Sequence, residues 1–148
     1  MRIAVAADSL DGVARSIPTV LTELGHEVLL RGALADGVSQ ADPAAVWSAC
    51  ARLAALDVAQ GRADQAVVAC WTGTGVSIAA NKVAGIRAAL CADAATAAGA
   101  RRWNDANVLA LSLRLVSQQL LVEILEAWFE TDPSPEPSDI AAITLVEP

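Results

Sequence analysis

The sequence contains no tyrosine, one histidine (His26) and three cysteines in 148 residues. Cys50, Cys70 and Cys91 are odd in number and form no CxxC pair, which argues against a disulfide framework. A single histidine without such a pair also supplies too few ligands for a zinc site. We therefore expect chemistry that needs no metal.

Long apolar runs and basic clusters are missing as well. No run approaches the roughly 20 residues that a membrane-spanning helix needs, and the start of the chain predicts a strand rather than a signal segment. The net charge is −7: all ten basic residues lie within residues 1–114, whereas residues 116–148 hold seven acidic residues and no basic one. Such a surface does not suit nucleic acid. We expect a cytoplasmic protein that binds neither membranes nor nucleic acids.

Strand-like and helix-like segments alternate along the chain. The predicted strands are 3–7, 27–30, 66–69, 86–91 and 108–111, and the predicted helices are 12–24, 43–60, 77–82, 93–101 and 118–129. This order predicts a single α/β domain over residues 1–130, with a five-stranded parallel sheet covered on both faces. Three prolines, at 133, 135 and 137, predict that residues 131–148 leave it as an extended acidic extension.

The most informative segment follows the third predicted strand. Cys70 ends this strand, and a loop with Gly73 and Gly75 leads into an apolar helical pattern. In parallel α/β sheets, ligands bind beyond the carboxyl ends of the strands, where free backbone N–H groups can hold an oxyanion. The loop lacks the third glycine of a dinucleotide fingerprint and the Gly-Lys-Ser/Thr of a P-loop. It favours a functional cysteine over a nucleotide site, although a lone cysteine is more often a small buried residue.

The same reasoning places other polar segments at this edge of the sheet. The candidates are residues 8–11, Asp93 and residues 103–107, each of which interrupts otherwise apolar segments. We expect them to lie near Cys70.

Longer motifs run through the middle of the chain, and they are specific because of their length and order. They are Cys70-x-Thr72-Gly73-x-Gly75, the run Ser77-Ile78-Ala79-Ala80-Asn81-Lys82-Val83-x-Gly85-Ile86-Arg87-Ala88-Ala89, and Asn104-Asp105-Ala106-Asn107-Val108-Leu109. In these residues the chain resembles the ribose-5-phosphate isomerase B / galactose-6-phosphate isomerase family. The resemblance is dense from about Gly61 to Phe129 and weaker but collinear from Met1.

The resemblance implies a Rossmann-like three-layer α/β/α sandwich. It implies an aldose–ketose isomerase that acts on a sugar or sugar phosphate through a cis-enediolate, without metal or cofactor. It also implies a homodimer, possibly a dimer of dimers, with active sites built across two subunits.

The resemblance also implies a role for individual residues of the site. Cys70 would be the base that moves a proton between C1 and C2, and the Thr72 to Gly75 turn would hold the enediolate oxygen through backbone N–H groups of Gly73, Thr74 and Gly75. Asp8 would bind sugar hydroxyls, and Asn104 a ring or chain oxygen.

Four departures from the family pattern bear on the substrate. Ser9 and Trp103 stand where the family usually has histidines, and Trp71 stands where it usually has glycine. The tail is acidic where the family brings His and Arg to the substrate phosphate. We therefore expect a substrate other than ribose 5-phosphate: a free sugar, or one whose anion is held by Arg114 or the Arg101–Arg102 pair. Arg101 and Arg102 have the alternative of a solvated helix end.

Several alternatives stay open at this point. Trp71 and Trp103 would form an apolar wall against a sugar face, or simply pack at a dimer or domain surface. In the family that the chain resembles, the histidine at the position of Trp103 helps to open the sugar ring. Its loss fits an open-chain or short substrate, ring opening by solvent or another group, or lost activity. The rival to an isomerase is a non-catalytic or hetero-oligomeric sugar-binding member of the family, and a weaker third reading is epimerisation through the same enediolate.

Overall fold

Five parallel strands form one sheet in the order β2-β1-β3-β5-β4 in the computed structural model, which describes residues 1–147. The strands are β1 (Arg2–Ala7), β2 (Glu27–Gly32), β3 (Gln65–Cys70), β4 (Ala88–Leu90) and β5 (Val108–Ser112). The helices are α1 (Ser16–Glu23), α2 (Trp47–Ala59), α3 (Thr74–Ala80), α4 (Ala94–Asn104), α5 (Gln118–Glu130) and α6 (Pro137–Thr144). The predicted α/β fold and five-stranded sheet are confirmed.

Both faces of the sheet are buried, which accounts for its near-continuous apolar strands. Successive strand residues point to opposite faces, so that Val67 packs with α1, α4 and α5 and Val68 packs with α2 and α3. Trp128 is the largest fully buried side chain, and its indole N–H donates to Gln65 Oε1 at 2.6 Å. These layers form the predicted α/β/α sandwich.

Several predicted boundaries were wrong for local reasons. Pro18 lies in the first turn of α1, where a missing N–H is tolerated, so the helix begins at Ser16 rather than residue 12. The helix predicted over 43–60 is interrupted: Pro43–Ala45 forms a 3₁₀ turn capped by Asp42, and Val46 is extended before α2 begins. Helix α3 begins at Thr74, inside the predicted loop.

The acidic tail also differs from the prediction. Residues 131–136 carry no regular structure, but Pro137 occupies the first position of α6, which suits its fixed φ, and the helix packs against α4. The extended conformation predicted for residues 137–144 was therefore wrong, while the division into 1–130 and 131–148 stays a prediction. None of the helices in the described part of the chain has the length and apolar character that crossing a bilayer requires.

Candidate functional site

The carboxyl ends of β1, β3 and β5 meet at one edge of the sheet. The Asp8 N–H donates to the Ala69 carbonyl at 3.3 Å, and the N–H groups of Leu113 and Arg114 donate to the carbonyls of Cys70 and Trp71, both at 3.0 Å. Nine predicted site residues lie on these strand ends and loops: Asp8, Ser9, Cys70, Trp71, Thr72, Gly73, Thr74, Gly75 and Arg114. We call this set the thiol edge.

The turn after Cys70 can hold an anion through its backbone. Gly73 has φ +76°, and a Cβ there would stand 2.5 Å from Leu90 Cδ1 and 2.9 Å from the Leu111 carbonyl, so only glycine fits. Thr74 and Gly75 are the first residues of α3, and N–H groups at that position have no acceptor within their own helix. The Thr72 and Thr74 hydroxyls lie 2.8 Å apart beside them. This turn therefore offers several donors to one oxygen atom.

Two of the three cysteines are unsuited to act as bases. Burial raises the pKa of Cys50 to about 12, and the nearby negative charge of Asp8 adds to the rise. Burial, with a smaller contribution from Asp93, also raises the pKa of Cys91 to about 12. Both side chains stay protonated thiols at neutral pH. Cys70 is the cysteine whose strand ends at the glycine turn.

Asp8 carries an oxygen that is ready to accept a hydrogen bond. Its Oδ1 atom is buried and has no hydrogen-bond partner among residues 1–147. Partial burial, and to a lesser extent the charge of Asp11, raise the pKa of this carboxyl above its usual value despite backbone hydrogen bonds that lower it. A buried acceptor without a donor is costly to the fold. A ligand hydroxyl would satisfy it.

This cost leads to a stability prediction for Asp8→Asn. Because folding raises the pKa of Asp8, the folded protein holds this proton more tightly, and the associated stability is present at low pH and lost as the pH rises through the folded pKa. Removing the charge is expected to raise the free energy of unfolding at neutral pH by up to about 1 kcal/mol, a low figure because the group is only half-buried. Urea unfolding measures it.

The pH dependence separates this effect from general changes in packing. The increase in the free energy of unfolding caused by Asp8→Asn should shrink towards about pH 3, where the wild-type carboxyl is protonated and therefore also uncharged. The exposed Asp36→Asn serves as the matched control and should change nothing. A loss of stability in Asp8→Asn at neutral pH would contradict this account.

Two further residues lie at the thiol edge although no sequence motif marks them. The Trp47 ring packs on Gly75, where an added Cβ would stand 2.9 Å from Trp47 Cε3. The prediction of one long helix had left Trp47 in its interior, whereas it begins α2. Ser112 is nearly buried, and its hydroxyl donates to the Trp71 carbonyl at 2.9 Å, which fixes the start of the glycine turn.

Trp103 and Asn104 do not lie at the thiol edge, and that prediction was wrong. They end α4, which leads into the amino end of β5, and the carbonyl of Asn107 accepts the N–H of Ala66 at the start of β3. Cys70 lies four residue steps beyond Ala66 on β3, roughly 13 Å along the sheet. Within one chain, Asn104 and Cys70 therefore occupy opposite edges.

The opposite edge carries a cavity of its own. Its volume is about 310 Å³, and it lies between α6 and the sheet. Its lining includes Asn81, Arg87, Trp103, Asn104, Ile143 and Val146. We call this the tail edge, because α6 brings the acidic tail next to Trp103 and Asn104.

The two arginines of α4 differ in whether a substrate anion could reach them. Arg101 is buried, donates to Asp105 Oδ1 at 3.0 Å and lies 5.7 Å from the ring centroid of Trp128. It is committed to the fold, so its predicted role in holding a substrate anion was wrong. Arg102 is exposed. No group of three His, Cys, Asp or Glu side chains within residues 1–147 is arranged to hold a metal ion.

Comparisons with known proteins agree on one family. The family model described as Ribose/Galactose Isomerase matches residues 3–142. Ribose-5-phosphate isomerase B of Escherichia coli K12 is 42% identical over 95 residues, which cover 63% of this chain and 64% of that protein. D-erythrulose-4-phosphate isomerase 2 of Mycolicibacterium smegmatis is 36% identical over 107 residues, 72% of this chain and 70% of its own length.

A solved structure extends the similarity over the whole fold. Clostridium thermocellum ribose-5-phosphate isomerase B superposes with a TM-score of 0.85 at 31% identity, covering 99% of this chain and 95% of that one. The chain spans only about half to two thirds of the length of the first curated relatives it matches. The fold likeness therefore reaches further than the sequence matches do.

Proposed function

The chain belongs to the ribose/galactose isomerase family, and on that premise we propose that it is a cofactor-independent aldose–ketose isomerase of sugars or sugar phosphates. The observation that supports this most directly is the position of Cys70, at the end of β3 where the strand meets a turn of free backbone N–H groups. A base and an oxyanion site lie side by side there. Moving a proton next to a carbonyl requires both.

In the proposed reaction, the Cys70 thiolate removes the proton from the carbon next to the carbonyl. The electron pair of that C–H bond moves towards the carbonyl, and the backbone N–H groups of Gly73, Thr74 and Gly75 stabilise the enediolate oxygen. Asp8 Oδ1 accepts a substrate hydroxyl. The proton of the neighbouring hydroxyl passes to the former carbonyl oxygen, and the new carbonyl forms at the carbon that lost its hydrogen. The Cys70 thiol returns its proton to the former carbonyl carbon, so that the aldose and ketose interconvert without net change in atoms or electrons.

We further propose that a second copy of the chain completes the site. Asn104 and Trp103 cannot reach Cys70 within one chain, because the sheet separates them. Large apolar side chains stand exposed beside the glycine turn, with 56% of Trp71 and 59% of Ile78 accessible, as expected of a surface that a partner covers. A homodimer, alone or paired into a dimer of dimers, would place the tail edge of one copy over the thiol edge of the other.

The substrate is proposed to be an open-chain sugar or sugar phosphate other than ribose 5-phosphate. Such a substrate needs no ring opening, so the histidine that Trp103 replaces would not be required. A relative named for erythrulose 4-phosphate, a four-carbon ketose, fits this class. Arg114 is exposed at the thiol edge and takes part in none of the ion pairs found among residues 1–147. It is therefore the proposed partner of a substrate anion.

Arg114→Gln tests where a substrate anion binds. For a phosphorylated substrate, KM is expected to rise about 10- to 100-fold, since a charge-assisted hydrogen bond to the anion is lost. For the matching free sugar, KM should stay within about twofold. Steady-state kinetics with the phosphorylated substrate and with the matching free sugar measure the two changes in KM. Arg15→Gln, at another exposed arginine, is the matched control and should leave both KM values unchanged. Equal changes in KM for both members would contradict this role of Arg114.

A panel of phosphorylated and free tetroses, pentoses and hexoses in deuterated water tests the function itself. The proposal expects deuterium at the carbon next to the carbonyl for at least one aldose–ketose pair. A well-folded protein that introduces deuterium into none of these sugars would support the non-catalytic, sugar-binding alternative. Exchange with inversion and without aldose–ketose interconversion would indicate epimerisation.

A further inference from the structure

Arg87 holds the turn that carries Asn104. It lies just before β4, and its Nε atom donates to the backbone carbonyls of Asn104 and Asp105 at 3.1 and 2.9 Å. Its Nη2 atom donates to Asp105 Oδ2 at 2.9 Å, and its own backbone N–H donates to Asn107 Oδ1 at 2.9 Å. One side chain thus fixes both the backbone and the carboxylate of the turn that ends α4.

The turn needs this support because of its backbone. Asp105 has φ +42°, the only positive φ of a non-glycine residue within residues 1–147. Its two carboxylate oxygens are held by different arginines, Oδ2 by Arg87 and Oδ1 by Arg101. Planar guanidinium groups suit such paired, directional bonds, and lysine cannot reproduce them. The backbone of the neighbouring Asn104 is thereby held through its carbonyl, although the residue is exposed.

The same guanidinium anchors the acidic tail. Glu147 pairs with Arg87 Nη1, so Asp105 and Glu147 share one cation. Helix α6 buries none of its residues fully and contacts the tail-edge cavity through Ala142 and Ile143, with Val146 beyond its end. Its docking therefore depends on this ion pair and on the Ser134 N–H, which donates to the Arg102 carbonyl at 2.7 Å.

We propose that Arg87 is a positioning residue for the isomerisation, acting on the substrate through Asn104, and that Glu147 joins the tail to the same turn. The proposal rests on the proposed function, which gives Asn104 its contact with the substrate. Each of the three guanidinium nitrogens of Arg87 already donates to an acceptor within the protein, so the proposal assigns Arg87 no contact with the substrate.

A double-mutant cycle separates positioning from a general structural role. Arg87→Gln is expected to lower kcat/KM about 10- to 100-fold, the scale of a contact misplaced by about 1 Å. In an Asn104→Ala background the same change should have little further effect, since effects that pass through one residue do not add. An undiminished effect of Arg87→Gln in that background would overturn the proposal. Arg2→Gln, an exposed arginine at the same edge of the sheet, is the control and should behave as wild type.

Hydrogen exchange gives a readout that does not depend on activity. Arg87→Gln should speed amide exchange in residues 103–107 and 137–147 and leave β1 and β3 protected. Glu147→Gln should speed exchange only in residues 137–147. If Arg87→Gln fails to fold, Arg87→Lys replaces it, because it keeps the charge and loses the planar fork.

The outcomes distinguish this proposal from the function on which it rests. If the wild-type protein isomerises no sugar, the proposed function fails, and hydrogen exchange alone tests whether Arg87 holds the turn at residues 103–107. Wild-type exchange rates at these residues in Arg87→Gln would overturn the positioning role of Arg87 in either case.

Discussion

Cys70→Ser is expected to lower kcat by about a thousandfold on any substrate of this protein, because a hydroxyl is a far weaker base than a thiolate in the same place and general bases contribute about 10²- to 10⁴-fold. Cys70 is only 5% exposed, and its strand neighbours fix it beside the glycine turn. Serine keeps the size of the side chain, so KM should change little. Steady-state kinetics, with the midpoint of thermal unfolding as a check on folding, measure both.

Cys50→Ala is the matched control for this substitution. Cys50 packs on the same face of the sheet as Cys70, is fully buried, and its pKa of about 12 keeps it a thiol. Alanine retains the Cβ that packs against Gly32. We expect Cys50→Ala to keep kcat within about twofold and to lose some stability through the small cavity. Equal losses of kcat in the two variants, or a Cys70→Ser enzyme within tenfold of wild type, would contradict the role of Cys70 as the base.

Mixing two inactive variants is expected to restore activity. Cys70→Ala removes the base at the thiol edge, and Asn104→Ala removes a substrate contact at the tail edge. Each homodimer should therefore keep only a small, measurable fraction of wild-type activity. If sites are shared between copies, a mixed dimer contains one intact site and one doubly defective site. Random reassociation makes half of the dimers mixed, so about a quarter of wild-type activity should return.

The control for this experiment is the double variant Cys70→Ala/Asn104→Ala, mixed with wild type. Its mixed dimers carry one defect in each site, so the mixture should show only the activity of the remaining wild-type dimers, again about a quarter. Native mass spectrometry on differently tagged copies establishes that subunits have exchanged. Exchange without recovery in the first mixture would show that Cys70 and Asn104 do not meet across two chains.

Local patterns in the sequence predicted the thiol edge well. The buried strand, Cys70 and the two glycines are contiguous, so strand geometry alone puts the thiol beside the turn. Asp8 follows β1, which pairs with β3 in register, and its position could be inferred in the same way. The role of each residue stays a prediction.

The residues of the tail edge could not be placed in this way, because their position depends on whether they precede or follow a strand. Residues 103–107 precede β5 and thus lie at its amino end, although their polar character suggested the opposite. Helix α6 was missed because three prolines in residues 133–137 suggested continued extension, whereas Pro137 begins a helix. The ion pair of Arg87 with Glu147 spans 60 residues, a separation that no local pattern reveals.

The two tryptophans of the site illustrate the same limit. Trp71 directly follows Cys70 and was correctly placed near it. The place of Trp47 could not be predicted, because nothing in the sequence indicates that the chain turns at Val46 and brings the ring onto Gly75. Contacts between distant segments decided its position.

Transfer of the substrate proton through Cys70 is the central claim, and deuterium exchange tests it most directly. Wild-type protein and Cys70→Ala are incubated in deuterated water with the best substrate of the panel, and the carbon next to the carbonyl is followed by NMR. The account predicts deuterium at that carbon with the wild type and a rate at least about a hundredfold lower with folded Cys70→Ala. Exchange at the wild-type rate in Cys70→Ala would contradict it.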